Sequence, residues 1–299
     1  MYRKSKKCIK NAYRILPSLL EEISYTESIN VLKVANNKHK KMAVILHLYY
    51  VDSWPIFFKK IKSCLSYFEY DLFITMPEKN KPFVSNILKD FNDAKVILIP
   101  NRGRDVLPFI KIANILQKVG YVYILKLHSK KSTHREDGQK WLNDMLDVLL
   151  SNDRDIMYEV VDKLENIKTG IVGPAGVYYP LTVNFPANGE HMTDVLKKMY
   201  GKRNADLYLQ VDRSKYGFFG GTMFWARIDS INSLLKFPIY KFEPEAGQID
   251  GTFAHALERL FTIVPEIDGK NNYEISIDGV IDRPYESNNI PEWSQDHIK

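Results

Sequence analysis

The run Met42-Ala43-Val44-Ile45-Leu46-His47-Leu48-Tyr49 decides the fold. Short, nearly continuous apolar stretches are what a strand needs when both of its faces are covered, as in a parallel sheet. The residues that follow, Trp54 to Phe68, switch to the spacing of an amphipathic helix. This unit recurs as Asp71 to Thr75 with Lys81 to Phe91, Ala94 to Ile99 with Val106 to Val119, and Tyr121 to Leu127 with Trp141 to Leu150. Four strand and helix units in succession predict an α/β domain on a mostly parallel open sheet. Beyond Leu150 the pattern predicts a helix near Asp155 to Leu164, a short strand at Gly170 to Val172 and an irregular stretch to about residue 190. A strand at Gly221 to Ala226 and a helix at about Asp250 to Phe261 follow. Open α/β sheets bind ligands beyond the carboxyl ends of their strands, so the loops after the strands are where chemistry is expected.

The chain has 299 residues, 45% hydrophobic and 26% charged, which suits one large folded domain and excludes a disordered tail or a small disulfide scaffold. No apolar run approaches the roughly 20 residues that cross a bilayer, and MYRKSKKCIK lacks the apolar core of a signal peptide, so a cytoplasmic placement is expected. Cys8 and Cys64 have neither CxxC spacing nor a histidine cluster and read as reduced thiols. The net charge of +6 is not evenly spread. Residues 1–41 hold ten Lys or Arg against Glu21, Glu22 and Glu27, a balance of +7, which leaves -1 for the rest. A basic arm on a near-neutral body suits an anionic surface, either phosphate backbone or the inner face of the plasma membrane. Ile9, Tyr13, Leu16, Leu20 and Ile23 give the arm an apolar thread interrupted by Pro17, compatible with an interfacial helix or with one packed on the body. With few interleaved aromatics and no nucleic-acid-binding module, no nucleic acid is expected as partner. The organisation read from these patterns is a basic helical arm at 1–41, an α/β domain at 42–265 and a C-terminal extension at 266–299.

Four stretches carry the chemistry. Asn101-Arg102-Gly103-Arg104-Asp105 follows a strand and opens a helix, where guanidinium and backbone N–H groups bind phosphate and Asp105 either accepts from a ribose hydroxyl or caps the helix. Lys126 and His128 alternate with Leu125 and Leu127 on one face of the fourth strand, and with Lys130 and Lys131 they point to an anionic ligand, because a buried lysine needs an anionic partner. Gly220, Gly221, Thr222 and Trp225 lie in a glycine and aromatic run suited to close approach and stacking on a sugar. Glu245, Gln248 and Asp250 precede a helix that carries His255, Glu258 and Arg259; Glu245 and Asp250 are the acid/base candidates, although Asp250 also fits a helix N-cap. The absence of GxxxxGK[ST], a strand-linked GxGxxG, HExxH and GxSxG argues against P-loop NTPases, dinucleotide dehydrogenases, zincins and α/β-hydrolases.

The ordered blocks HLYYVDSW, EYDLFITMP, PNRGRDVLPF, YILKLHSKKS, GIVGP, GGTMFWAR and EAGQIDGTFAHALERL, from about residue 43 to 262, resemble the rhamnan synthesis protein F family. That resemblance implies a cytoplasmic glycosyltransferase of the A-type fold, moving a deoxyhexose, rhamnose on a thymidine diphosphate carrier, to a lipid-linked surface glycan. No separate cofactor is implied. In that analogy the NRGRD block stands at a nucleotide-contacting loop, and KLHSKK stands where many such enzymes carry an acidic metal motif. No acidic pair occurs there, so the expected enzyme is inverting and metal-independent, with Asp250 taking the acceptor proton. A carbohydrate hydrolase using Glu243, Glu245 and Asp250 is the alternative, as is a non-catalytic carbohydrate-processing protein.

Overall fold

The computed structural model describes residues 41–129, 138–182, 185–211 and 213–282. Residues 1–40 of the arm expected at 1–41, Lys130 and Lys131, and residues 283–299 of the C-terminal extension lie outside the described residues.

The founding strand β1 (Met42–His47) is buried along its whole length and pairs in parallel on both sides. On one side it meets β2 (Tyr70–Pro77), which pairs in turn with β3 (Lys95–Ile99). On the other it meets β4 (Tyr123–His128), in the register His47 opposite His128. The chain therefore builds outward from β1 to β3 and then jumps back across β1 to β4. That reversal of strand order is a topological switch point, and it lies between two strands that each end in histidine.

Helix α1 (Trp54–Cys64) follows β1 and buries Trp54, Phe57, Ile61 and Cys64, the three- and four-residue spacing of one helical face. Helix α2 (Val84–Asp90) is preceded by a 3₁₀ turn over Glu78–Phe83, where Pro82 interrupts a regular helix. Helix α3 (Val106–Lys118) is almost wholly buried between β3 and β4 in the chain order. Helices α4 (Gly138–Leu149) and α5 (Arg154–Glu165) lead to β5 (Thr169–Pro174).

The second half completes the sheet. Strand β8 (Phe224–Arg227) inserts antiparallel between β4 and β5, and β9 (Asn271–Ser276) pairs parallel to β5. With β10 (Gly279–Asp282) antiparallel at the edge, the order is β10-β9-β5-β8-β4-β1-β2-β3. The result is α/β, with a mixed but mostly parallel sheet of eight strands. The sheet thus runs on past residue 265, so residues 271–282 are part of it instead of packing on it from outside. A second small sheet pairs β6 (Tyr178–Pro180) with β7 (Gly217–Phe219).

The stretch expected to be irregular to about residue 190 contains the start of a long helix, α6 (Phe185–Tyr200). Pro186 and Gly189 mask it in sequence, but a proline in the first turn is tolerated, and Gly189 accommodates the Phe185 ring. A short helix α7 (Lys202–Asp206) follows, and α8 (Phe253–Ile267) is the buried central helix of this half. Among the described residues no helix is long and apolar enough to cross a membrane.

Candidate functional site

The segment Pro100 to Asp105 carries the chain from the edge strand β3 to the start of α3, and its tight course needs an unusual backbone. Gly103 (φ +65°) and Arg104 (φ +56°) are both left-handed, and a Cβ at Gly103 would lie 2.5 Å from Leu107 Cβ and 2.7 Å from the Phe242 ring. Only glycine fits there. A matching pair, Gly221 (φ +78°) and Thr222 (φ +48°), stands before β8. Arg104 and Thr222 are the non-glycine residues with positive φ among the described residues, and such strain, of order 1 to 3 kcal/mol each, collects at functional sites.

The two turns meet across β4. Lys126, 1% exposed, donates to the Asp105 carboxylate and to the Thr222 carbonyl at 2.7 Å. Its ammonium also lies 5.4 Å from the Phe109 ring and 5.9 Å from that of Phe224. His128 Nε2 donates to the Gly221 carbonyl at 2.5 Å, and its Nδ1 is 4.0 Å from Asp105. Asp105 occupies the N-cap position of α3 but makes no side-chain cap bond, because its carboxylate is turned to Lys126. Burial alone would raise its pKa; the charges of His128 and Lys126 overcome that and hold it far below the usual carboxylate range. Across the switch point His47 bonds Thr75 Oγ1 at 3.0 Å, and burial, aided by His128 and Lys126 and opposed by Asp105, lowers its pKa to about 4.

Arg104 turns the other way. Its Nη1 lies 2.9 Å from His255 Nε2, its Nη2 donates to the Gln248 carbonyl at 2.5 Å, and its Nε lies 3.8 Å from Glu245. On its other side the His255 ring closes the capping box of α8: its Nδ1 accepts from the Thr252 backbone N–H at 3.3 Å and lies 2.8 Å from Thr252 Oγ1. Glu245 keeps 20% side-chain exposure; burial raises its pKa, against the pull of Arg104. Asp250, two residues ahead of Thr252, is not the N-cap of α8: Thr252 fills that role with its hydroxyl. The Asp250 carboxylate is held by Asn188 (3.0 Å) and Arg259 (3.3 Å).

The consecutive residues Arg104 and Asp105 thus join two groups of residues that are far apart in sequence. Lys126 and His128 stand with Asp105; Glu245, Gln248, His255 and, through His255, Asp250 stand with Arg104. Several expectations change. Lys126 has its anionic partner inside the protein, in Asp105, so its charge does not call for a ligand. Arg102 is also engaged, donating through Nε to the Phe242 carbonyl at 2.9 Å, while Asn101 is exposed at the loop tip. Trp225 is fully buried with its indole N–H on the Leu149 carbonyl at 2.9 Å, which takes it out of the sugar-facing set. Gly220 packs on the Tyr179 ring, and a Cβ at Gly221 would lie 2.8 Å from Trp141, so packing and backbone geometry account for both glycines. The Gln248 side chain closes its own loop, bonding Pro244 O and Ala246 N at 3.0 Å. Lys130 and Lys131 lie outside the described residues.

Sequence reasoning missed His47, Thr75 and Asn188, and named Arg259 on its helix without connecting it to Asp250. A signal existed for His47, the polar residue that ends an apolar run. None existed for Asn188, because it lies in a helix that was not anticipated.

Fold and site together define an α/β protein whose parallel sheet carries, at its switch point, a sealed ion pair backed by a half-open carboxylate loop. The chain belongs to the family described as rhamnan synthesis protein F, whose model matches residues 6–269. Two curated relatives from Xanthomonas campestris pv. campestris, strains B100 and ATCC 33913, are both described as uncharacterized protein WxcX and are 39% and 38% identical over 175 and 174 residues. Each match covers 56% of this chain but 23% of the relative, so the similar region spans about a quarter of those longer proteins.

Proposed function

We propose that this chain is a glycosyltransferase of the A-type fold that moves a deoxyhexose, rhamnose, from a thymidine diphosphate carrier to a growing lipid-linked surface polysaccharide, such as an O-antigen, capsule or rhamnan. The observation that carries the reading is the Arg104–Asp105 junction, which sets a partly exposed cation beside the partly exposed Glu245 carboxylate and, through His255, the partly exposed Asp250 carboxylate. Family membership supports the polysaccharide. In the reaction, the acceptor hydroxyl oxygen attacks the anomeric carbon while the bond from that carbon to the diphosphate breaks. The leaving electron pair stays on the diphosphate, and the hydroxyl proton passes to Asp250, with Glu245 the second candidate. Displacement from the opposite face inverts the anomeric centre. Arg104 meets the diphosphate, so that a fixed charge stabilises the leaving group in place of a metal. The basic arm holds the enzyme at the anionic inner face of the plasma membrane; changing Lys4, Lys6, Lys7 and Lys10 to Glu is expected to abolish sedimentation with anionic vesicles.

The testing experiment is a thermal-shift panel of sugar nucleotides followed by measurement of dTDP release. A ligand bound only by the folded state raises Tm. A dTDP-deoxyhexose is expected to give the largest shift and to release dTDP when a rhamnose-terminated oligosaccharide is supplied. No shift with any sugar nucleotide and no release would overturn the reading.

A further inference from the structure

Asp250 keeps 23% side-chain exposure, yet the groups that hold it are buried. Asn188, on α6, has no exposed surface and donates to Oδ1 at 3.0 Å. Arg259, on α8 and 5% exposed, donates to Oδ2 at 3.3 Å. Arg259 is fixed independently of that contact, since its Nη1 bonds the His255 carbonyl at 2.8 Å and its guanidinium lies 4.8 Å from the Phe218 ring.

We propose that Arg259 and Asn188 are positioning residues for Asp250 in the transfer reaction, an inference that rests on reading Asp250 as the base. Stability alone is a poor reason for this arrangement. A partly solvated ion pair contributes little, while burying an amide and a guanidinium is costly. Orientation is a better one. Each carboxylate oxygen has two lone-pair sites, and one holder per oxygen leaves capacity to accept a proton on the exposed side. Two holders from two different helices fix both the plane and the direction of the carboxylate before the acceptor arrives, which is where a preorganised group lowers the barrier. The Arg259 Nε is buried with no hydrogen-bond partner among the described residues, a cost accepted to keep the guanidinium where Asp250 needs it.

The test is a set of double-mutant cycles on dTDP release, with dTDP-rhamnose as donor and a rhamnose-terminated oligosaccharide as acceptor. Arg259→Gln and Asn188→Leu are expected to lower kcat by about 30-fold or more with donor KM within about 3-fold, the signature of an interaction expressed in the transition state. Arg259→Lys should recover part of the loss. In an Asp250→Asn background neither substitution should cost anything further, because residues acting through one group are not additive. Full kcat in the single variants, or losses that multiply with Asp250→Asn, would overturn the proposal. If Arg259→Gln does not fold by circular dichroism, the Arg259→Lys and Asn188→Leu cycles decide by the same criterion. A wild type that releases no dTDP defeats the transferase reading and this inference with it; an active wild type with multiplying losses defeats the inference alone.

Discussion

Two polar clusters sit back to back on one dipeptide, and they differ in how far they are closed. The Asp105, Lys126, His128 and His47 group at the strand ends is buried, and each charge in it is answered by another group of the protein. The Glu245, Asp250, His255 and Arg104 group keeps 20 to 28% exposure on its charged members other than the histidine. A closed cluster sets the shape of the strand ends and the two strained turns; an open one has capacity left for a substrate. The proposed chemistry is assigned to the second, with the first as its foundation.

The largest effect should come from breaking the foundation. Lys126→Met leaves Asp105 buried without its cation, and loss of one partner of a buried pair costs about 3 to 5 kcal/mol. Urea unfolding should show that loss, and pairing it with Asp105→Leu should restore most of the stability. Glu245→Gln, in the open cluster, should change stability by less than about 1 kcal/mol. Equal losses from both substitutions would erase the contrast.

The pH dependence of stability sharpens it next. His47 titrates at about 4 in the fold against an ordinary 6.5, so the stability it confers is complete above 6.5 and is lost as pH falls toward 4. Glu266, near the far end of α8, is pushed by burial up to about 7 against the donation of Asn272; its contribution is complete below about 4.5 and is lost as pH rises through 7. Between about pH 4.5 and 6.5 the two oppose one another. His47→Gln should leave stability falling as pH rises, and Glu266→Gln should leave it rising, each by up to about 3 kcal/mol. Chemical denaturation across this range would read both slopes, and identical profiles for the two variants would refute the assignment. Asp105 adds an acid loss of its own below the usual carboxylate range.

A smaller effect tests whether the open cluster holds the donor. Arg104→Ala should weaken dTDP binding by about tenfold or more in calorimetry, since a charged hydrogen bond contributes roughly 1.5 to 3 kcal/mol. Unchanged affinity in a folded variant would assign Arg104 to structure, alongside Lys126. The smallest expected effect is none: EDTA should leave dTDP release unaltered. Complete loss that Mn²⁺ or Mg²⁺ restores would show that fixed cations do not suffice.

The parallel half of the sheet was legible because each strand is a short, mostly apolar run followed by a stretch of helical spacing. The strand expected at Gly221 to Ala226 is present as β8, but its antiparallel pairing with β4 and β5, far away in sequence, was not legible, and neither was the long helix α6, which Pro186 and Gly189 disguise. NRGRD, KLH and EAGQID were each visible as unusual polar segments at strand or helix ends, and Lys126 visibly needed an anion.

What the amino-acid order determined by itself was local: which runs become strands, where ligand-edge loops fall, and which residue types have the charge for chemistry. Which charge answers which was decided only by the tertiary structure. The carboxylate partner of Lys126 lies 21 residues away and the Arg104 partners lie 141 to 151 residues away, on the other half of the fold. Charge pairing depends on distance in space and on exclusion of water, and a linear chain specifies neither until the crossover from β3 to β4 and the insertion of β8 bring the strand ends together.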